Sequence, residues 1–414
     1  MSMKFRTLLS FGVVLCAMWL SSCGHYVCHT TLGSSTCTPS GGGLSSGGGG
    51  NAAASAYAFA VNDNGTIDGY TLSASASTFV ATPNYTAATT TANAGGVGMV
   101  VAQGKYLYTV YADLHEIYGW TIDSAGGLTP LSGFPMPVSL TIPTLLAFNQ
   151  YAVITNPAGT LLFVSDAGIN QIIVYQISAS GGLTQAPGSP FSAGTIEPQN
   201  MGMDGLGKYL YVSSEGSSLN HAGTVVGAFS VSSTGVLQQI AGSPFNYPIW
   251  QMQGDPSGNY LIGISGKTAY WYGSDDDSLY VFNINQSTGA ISPVTGSPFT
   301  TTYAPFNMAV RPSSTGGEFV YTFSINDSGT AYNPIEGYQI STTTGGLTAL
   351  SLSSSTPTAW GQFDPAGSYL FSYSNSGSAI SLAALTVGST GGLTATGSPV
   401  TLATGGYWAA SDVP

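Results

Sequence analysis

From about residue 55 onward, apolar and polar side chains alternate in short bursts, and each burst stops at Gly, Pro, Asn or Asp. A two-residue period puts every second side chain on the same face, so these bursts read as half-buried β-strands. One kind of burst recurs as Tyr106-Leu107-Tyr108, Leu161-Leu162-Phe163-Val164, Tyr209-Leu210-Tyr211-Val212, Phe319-Val320-Tyr321 and Tyr369-Leu370-Phe371. A turn recurs beside it as Asn156-Pro157-Ala158-Gly159, Asp255-Pro256-Ser257-Gly258 and Asp364-Pro365-Ala366-Gly367. There Pro fixes φ and Gly accepts a positive φ. The unit beginning at Asn200 predicts strands over residues 200–203, 208–213, 224–231 and 236–240, with turns at 204–207 and 232–235. No helical period competes after residue 50.

The units repeat. Aligning the apolar residue that follows a Gly pair, or Gly235-Val236 and Gly289-Ala290 in its place, gives Leu128, Leu183, Leu237, Ile291, Leu347 and Leu393, with Phe79 as a degraded first copy. The interval is roughly fifty residues, which in a β-rich chain indicates propeller blades. A Gly-Ser-Pro-Phe tail follows at Gly188, Gly242 and Gly296, reads as a spacer to the next unit, and becomes Gly397-Ser398-Pro399-Val400 at the end. The expected fold is all-β, a seven-bladed propeller of four-stranded antiparallel blades over residues 55–414. Tyr57-Ala58-Phe59-Ala60-Val61 matches second strands and Tyr407-Trp408-Ala409-Ala410-Ser411 matches innermost ones. The C-terminal strand is therefore expected to join the first blade and close the ring, removing an exposed edge.

The combination of Asp-Pro-x-Gly before an aromatic strand, then Gly-Gly-Leu-Thr and Gly-Ser-Pro-Phe, resembles the lactonase-type seven-bladed β-propellers. That family includes 6-phosphogluconolactonases. The resemblance implies hydrolysis of a lactone, and relatives often place a Pro-Arg-His phrase where an innermost strand begins. This chain has Pro198-Gln199-Asn200 and Pro305-Phe306-Asn307 there instead.

The N-terminus adds a compartment. Lys4 and Arg6 precede an apolar run from Leu8 to Leu20, shorter than the ~20 residues of a spanning helix, so residues 1–22 read as an export signal. Leu20-Ser21-Ser22-Cys23 resembles the bacterial lipoprotein signal, which implies lipidation of Cys23 and a membrane-anchored protein on the periplasmic or cell-surface side. The alternative is an ordinary cleaved signal. Cys28 and Cys37 then remain as a local disulfide pair or as two free thiols. Residues 23–54, rich in Gly and Ser near their end, form a flexible tether. Gly43-Leu44-Ser45-Ser46-Gly47 matches a nucleophile-elbow pattern but lacks the flanking strand and helix.

Composition narrows the partners. Charged residues are 6% of the chain while 43% are apolar, with 24 Tyr and 17 Phe, which indicates a buried β core rather than disorder. Beyond the signal the cations are Lys105, Lys208, Lys267 and Arg311 against 18 acids, which excludes nucleic acid. A monomer is expected.

Candidate chemistry follows from the propeller's two ends. Loops between second and third strands, and those leading into innermost strands, gather Asp63, Asp113, His115, Glu116, Asp166, Glu197, Glu215, His221, Asp275, Asp276, Asp277 and Asp327, with Lys267 the only base. Such an acidic mouth focuses its field on cations. Lys105, Lys208 and Arg311 fall on turns at the opposite end. Candidate ligand-binding residues are Glu197, Asn200, Trp250, Gln251, Asn307, Trp360 and Trp408, whose aromatic faces and amides suit a neutral sugar-like ligand. The tryptophans also fit a channel plug. No cofactor is expected, apart from Ca2+ as a weak candidate at Asp275, Asp276 and Asp277. Two functions remain: a binding or scaffold module for a small neutral or cationic ligand or an envelope protein, and a lactone hydrolase using His115 or His221 beside Glu116 or Glu215. Cys23→Ala is expected to move the protein from the membrane fraction to the soluble one without lowering its melting temperature. Mass spectrometry of the mature N-terminus checks the lipid.

Overall fold

The computed structural model describes residues 21–22, 25–26, 56–62, 66–73, 78–86, 96–111, 114–140, 152–194, 196, 198–214, 225–265, 278–312, 317–324, 332–352, 358, 360–376, 379–402 and 406–412. The alternating bursts become strands arranged as the pattern requires. In the unit used above, strands form at Asn200–Met203, Tyr209–Ser214, Val225–Val231 and Leu237–Gln239, each antiparallel to the next. Six sheets repeat this order from 96 to 402, and their first strands are Gly96–Ala102, Val153–Thr155, Asn200–Met203, Gln251–Gly254, Pro305–Val310 and Trp360–Phe363. A further sheet runs in the order Gly406–Asp412, Ala56–Asn62, Thr66–Ser73, Thr78–Thr86. In it Ala56 faces Asp412 and Asn62 faces Gly406. We number this sheet the first blade and the others the second to seventh in chain order. The molecule is an all-β propeller of four-stranded antiparallel blades.

The two faces of each blade are apolar because each packs on a neighbouring blade. Tyr211, Val226 and Ala228 of the fourth blade meet Leu261, Phe282 and Ile291 of the fifth. Ala56, Ala58, Ala60 and Leu72 of the first meet Trp360, Phe371 and Tyr373 of the seventh. This explains why the second strands are buried on both faces, as in Tyr106–Tyr111 and Leu161–Asp166, although their sequences look only half-buried.

The Gly-Gly-Leu phrase acquires a physical meaning here. Its first glycine has φ of +81° at Gly181 and +80° at Gly391, and Gly289 in the matching Gly289-Ala290-Ile291 has +75°, a conformation that a Cβ disfavours. The same glycine lies on an aromatic ring of the preceding blade: a Cβ on Gly289 would stand 2.4 Å from the Tyr209 ring and one on Gly181 would stand 2.6 Å from Tyr106. The next tyrosine along the strand donates its hydroxyl to the glycine carbonyl, Tyr108 to Gly181 at 2.7 Å, Tyr211 to Gly289 at 2.9 Å and Tyr321 to Gly391 at 2.8 Å. Each hairpin is thus a socket for the blade before it.

The Gly-Ser-Pro-Phe phrase differs from its expected role as a spacer. Phe191–Ser192 and Phe299–Thr300 return to pair with the third strand of their own blade, and Phe245 bridges back to Val226. The serine makes this possible by accepting a third-strand N–H: Ser189 from Val174, Ser243 from Ala228 and Ser297 from Val281. The phrase is therefore a bulge that extends the outer strand, because the third strand would otherwise leave donors without partners at that edge.

Cys23, Cys28 and Cys37 lie outside the described residues; beside them Ser21–Ser22 pairs with His25–Tyr26. No helix among the described residues is long and apolar enough to cross a membrane. Gly289→Ala is expected to destabilise the protein by about 1–3 kcal/mol through steric overlap, and Tyr211→Phe by about 1 kcal/mol through the lost hydrogen bond. Gly133→Ala should cost less, since its added Cβ meets nothing within 4 Å. Urea midpoints of the three variants test the ranking.

Candidate functional site

The innermost strands meet in two ways. Between the fourth and fifth blades they touch backbone to backbone: a Cβ on Gly202 would lie 2.3 Å from the Met252 carbonyl oxygen, and one on Gly205 would lie 2.1 Å from that of Asp255. Between the fifth and sixth, side-chain amides span the gap. Gln251 Oε1 accepts from Met308 N at 2.9 Å while its Nε2 donates to Met308 O at 3.2 Å. Gln253 repeats this double bond with Val310, at 3.0 and 3.4 Å. Asn307 extends the seam by donating to Gln251 Oε1 at 3.3 Å and accepting from Gly361 N at 3.5 Å. A glutamine presents the same donor and acceptor pair as a peptide group, so it substitutes for an edge strand where the blades diverge.

Where these strands end, a cavity of about 640 Å3 opens at the turn end of the channel. Its walls come from six blades and include Val100, Lys105, Ile154, Thr155, Met201, Met252, Gln253, Val310, Gln362 and Phe363, with the turns at Asn156, Asp204 and Asp364. The volume lies within the roughly 300–1,000 Å3 of ligand pockets. The expectation from sequence put the acidic candidate mouth at the other end, so Lys105, Thr155 and Gln253 were missed as lining of this cavity. The amides at 251, 253 and 362 recur at strand register, a signal present in the sequence but readable only once the inner strands are aligned.

The turn carboxylates are structural. Asp204 Oδ1 accepts from Tyr209 N at 2.6 Å and its Oδ2 from Leu206 N at 3.2 Å. Asp255 and Asp364 accept in the same way from Tyr260 N and Tyr369 N, both at 2.7 Å. Burial raises the pKa of Asp204, opposed by these N–H bonds and by Lys208. In the sixth blade Arg311 occupies the corresponding position; it is buried and donates from Nε to Gly367 O at 2.8 Å. It is thus tied to the next blade's turn rather than standing free as a surface cation.

Of the residues expected to act, the structure joins Gln251 to Asn307, both buried and both engaged with neighbouring strands. Asn200 is buried at the corresponding position one blade earlier. Trp360 does not line an open wall; it is 4% exposed and packs against Phe306, Tyr332 and Tyr373. Trp250 stays half-buried where the fifth innermost strand begins, and Trp408 is placed by its backbone opposite Ala60. His115 is exposed in a left-handed turn with φ of +53°. Glu116 accepts the Tyr118 hydroxyl at 2.7 Å, and burial together with this carboxylate pushes Tyr118 up to about 12. Glu336 repeats this arrangement with Tyr338 at 3.4 Å and also accepts from Thr302 N and Tyr303 N, anchoring the approach to the sixth innermost strand. Asp166 is buried and caps a short 3-10 turn at Ala167–Ile169. Asp63, Asp113, Glu197, Glu215, His221, Lys267, Asp275, Asp276, Asp277 and Asp327 lie outside the described residues. Among the described residues no cluster of three His, Cys, Asp or Glu side chains is arranged to hold a metal.

One acid departs from the pattern. Glu318 is 2% exposed at the start of the sixth blade's second strand, and burial, then the neighbouring Asp255, pushes it up to about 7. A pKa above the ordinary 4.5 means that the folded state binds the proton more tightly. The resulting stability is complete below pH 4.5 and is lost as pH rises through 7. The melting temperature of the wild type is therefore expected to fall relative to that of Glu318→Gln across this window. Parallel curves for the two proteins would refute the assignment.

Residues 151–331 match the family model described as lactonase, seven-bladed β-propeller. No curated protein matches the sequence. Among solved structures, a candidate 6-phosphogluconolactonase from Bacteroides fragilis superposes with a TM-score of 0.58 at 13% identity, over 87% of this chain and 98% of that one. A second candidate 6-phosphogluconolactonase, from Bacteroides uniformis, gives 0.53 at 16% identity, over 71% and 80%. A periplasmic gluconolactonase from Pseudomonas aeruginosa gives 0.52 at 14% identity, over 87% and 100%. At these identities the structural likeness is one of fold. Residues 151–331 are thus similar to the lactonase seven-bladed β-propeller family, and the chain as a whole shares the propeller fold of these structures.

Proposed function

We propose that this protein is a binding or scaffold propeller of the cell envelope, a closed seven-bladed ring tethered through a lipid on Cys23, rather than a lactone hydrolase. The observation that carries the reading is the chemistry of the turn-end cavity. Its described lining contains no Arg or His, and the Asp204 and Asp364 carboxylates on its wall accept backbone N–H groups. A lactonase needs a base and a donor for the developing oxyanion within reach of one substrate pose. His115 is exposed away from this cavity, and its neighbour Glu116 holds the Tyr118 hydroxyl. Pairing of residues 406–412 with the first blade, and the apolar contact of that blade with the seventh, support the closed ring.

Lactone hydrolysis is the second reading. The lactonase family match and the likeness to a periplasmic gluconolactonase favour it, and the latter also agrees with export. Its catalytic groups would be His115, Glu116, Glu215 and His221 at the loop end.

The full mature chain is expected not to hydrolyse gluconolactone or 6-phosphogluconolactone above the spontaneous rate, followed by proton release at constant pH. Turnover that disappears in His115→Ala or His221→Ala, with folding intact, would establish the hydrolase instead.

A further inference from the structure

The smallest sheet among the described residues lies outside the blades. Ser21–Ser22 pairs antiparallel with His25–Tyr26, Ser21 facing Tyr26 and Ser22 facing His25. Its backbone comes within 8 Å, Cα to Cα, of three other strands. His25–Tyr26 lies against Gly406–Asp412 of the first blade and Gly96–Ala102 of the second, and Ser21–Ser22 lies against Asn200–Met203 of the fourth. All three are the innermost strands of their blades. A segment this short can reach the innermost strands of the first, second and fourth blades of a ring only from the axis. The N-terminal segment therefore stands in the channel or across its mouth.

Backbone chemistry gives the segment a reason to stay there. An innermost strand pairs on one side only and turns its other row of N–H and C=O groups toward the axis, where each needs a partner. Between the fifth and sixth blades the amides of Gln251 and Gln253 meet that need. On the side of the first, second and fourth blades an extended stretch of the same chain lies at the axis instead. The innermost strands of the second and fourth blades also give Val100, Val101, Met201 and Met203 to the turn-end cavity, so segment and cavity share one channel. Cleavage before Cys23 removes Ser21–Ser22 and leaves His25–Tyr26 against the first and second blades.

We propose that the segment beginning at His25 docks in the propeller's own channel, against the innermost strands of the first two blades, and plugs it. The occupant is this chain itself, and the docking needs no lipid. Its consequence for the membrane rests on the anchored reading above. Two residues of chain span at most about 7 Å, so a lipid on Cys23 holds the membrane at a mouth of the channel rather than at the outer edge of the ring.

The test places the photocrosslinker p-benzoylphenylalanine at Tyr26 of the full mature chain and maps its adducts by mass spectrometry. Adducts are expected on peptides carrying residues 96–102 or 406–412, both in the lipidated protein and in Cys23→Ala. The same probe at Ser46, within the Gly/Ser stretch, should leave those peptides unmodified. Hydrogen exchange in the double variant His25→Asp, Tyr26→Asp gives a second readout. Two carboxylates on a solvated tether change little, whereas inside the channel they are desolvated and displace the segment. Exchange in 96–102 and 406–412 should then quicken tenfold or more while that of 237–239 stays the same. Adducts on outer strands, between molecules or nowhere, adducts that need the lipid, equal labelling from Ser46, or unchanged exchange in the double variant overturns the proposal. Whether Cys23→Ala leaves the membrane fraction decides the anchor alone, so the anchored reading and the docked segment fail separately.

Discussion

A glycine held at positive φ and pressed onto a tyrosine ring of the blade before it fixes how one blade meets the next. The contact leaves no room for a side chain, and the hydroxyl two residues further along the strand locks it with a hydrogen bond between residues 70 to 78 positions apart. Because ring and hydroxyl lie on one strand face, the pair fixes both the distance between blades and their vertical offset. Where the tyrosines are absent, as in the third blade, Gly235 packs instead on Val174, Ala186 and Leu161. The steric half of the socket survives there without its polar half.

The scarcity of charge follows from the same geometry. Blades packed on both faces expose little surface apart from loops and the outer edge, so most positions are apolar or small. The backbone groups that remain are satisfied by short neutral or turn-bound side chains: serine hydroxyls in the outer bulges, aspartates in the turns, and glutamines between diverging inner strands. A low-dielectric interior penalises an unpaired ion far more than an amide. The sixth blade is the exception, with Arg311 in the aspartate's place and Glu318 held close to Asp255. There a cation reaches the carbonyl of the next turn, and burial and a neighbouring carboxyl push the acid's pKa up to about 7.

A propeller offers two mouths, and the fold alone does not say which one works. Resemblance to lactonases directs attention to the loop end, where the acids of this chain were expected to gather. The described loop-end carboxylates hold local structure: Glu116 a tyrosine hydroxyl, Glu336 the backbone at Thr302 and Tyr303, and Asp166 a turn. The turn end, built from repeat phrases that look like scaffold, encloses the cavity. Scaffold and cavity wall are therefore not separate in this chain, since Gln253 both bonds the neighbouring innermost strand and lines the cavity.

Strand positions, the repeat and the propeller class were legible from residues 55–414, because period-two alternation, Pro-fixed turns and glycines needing positive φ are local requirements that each unit must meet for itself. The partnership of Tyr211 with Gly289 was not, since a hairpin glycine looks like any other turn glycine until a ring from the preceding blade lies on it. Nor was the role of Gly-Ser-Pro-Phe, whose serine needs a third-strand N–H to accept. Trp360 was expected beside a ligand and is core, because burial at a strand start depends on which blade stands next to it. The same physical reason separates Gln253 from Gln362: identical in type and register, one bonds the neighbouring strand and the other keeps a buried Oε1 that accepts no hydrogen bond, and only the packing of blades around the axis decides between them.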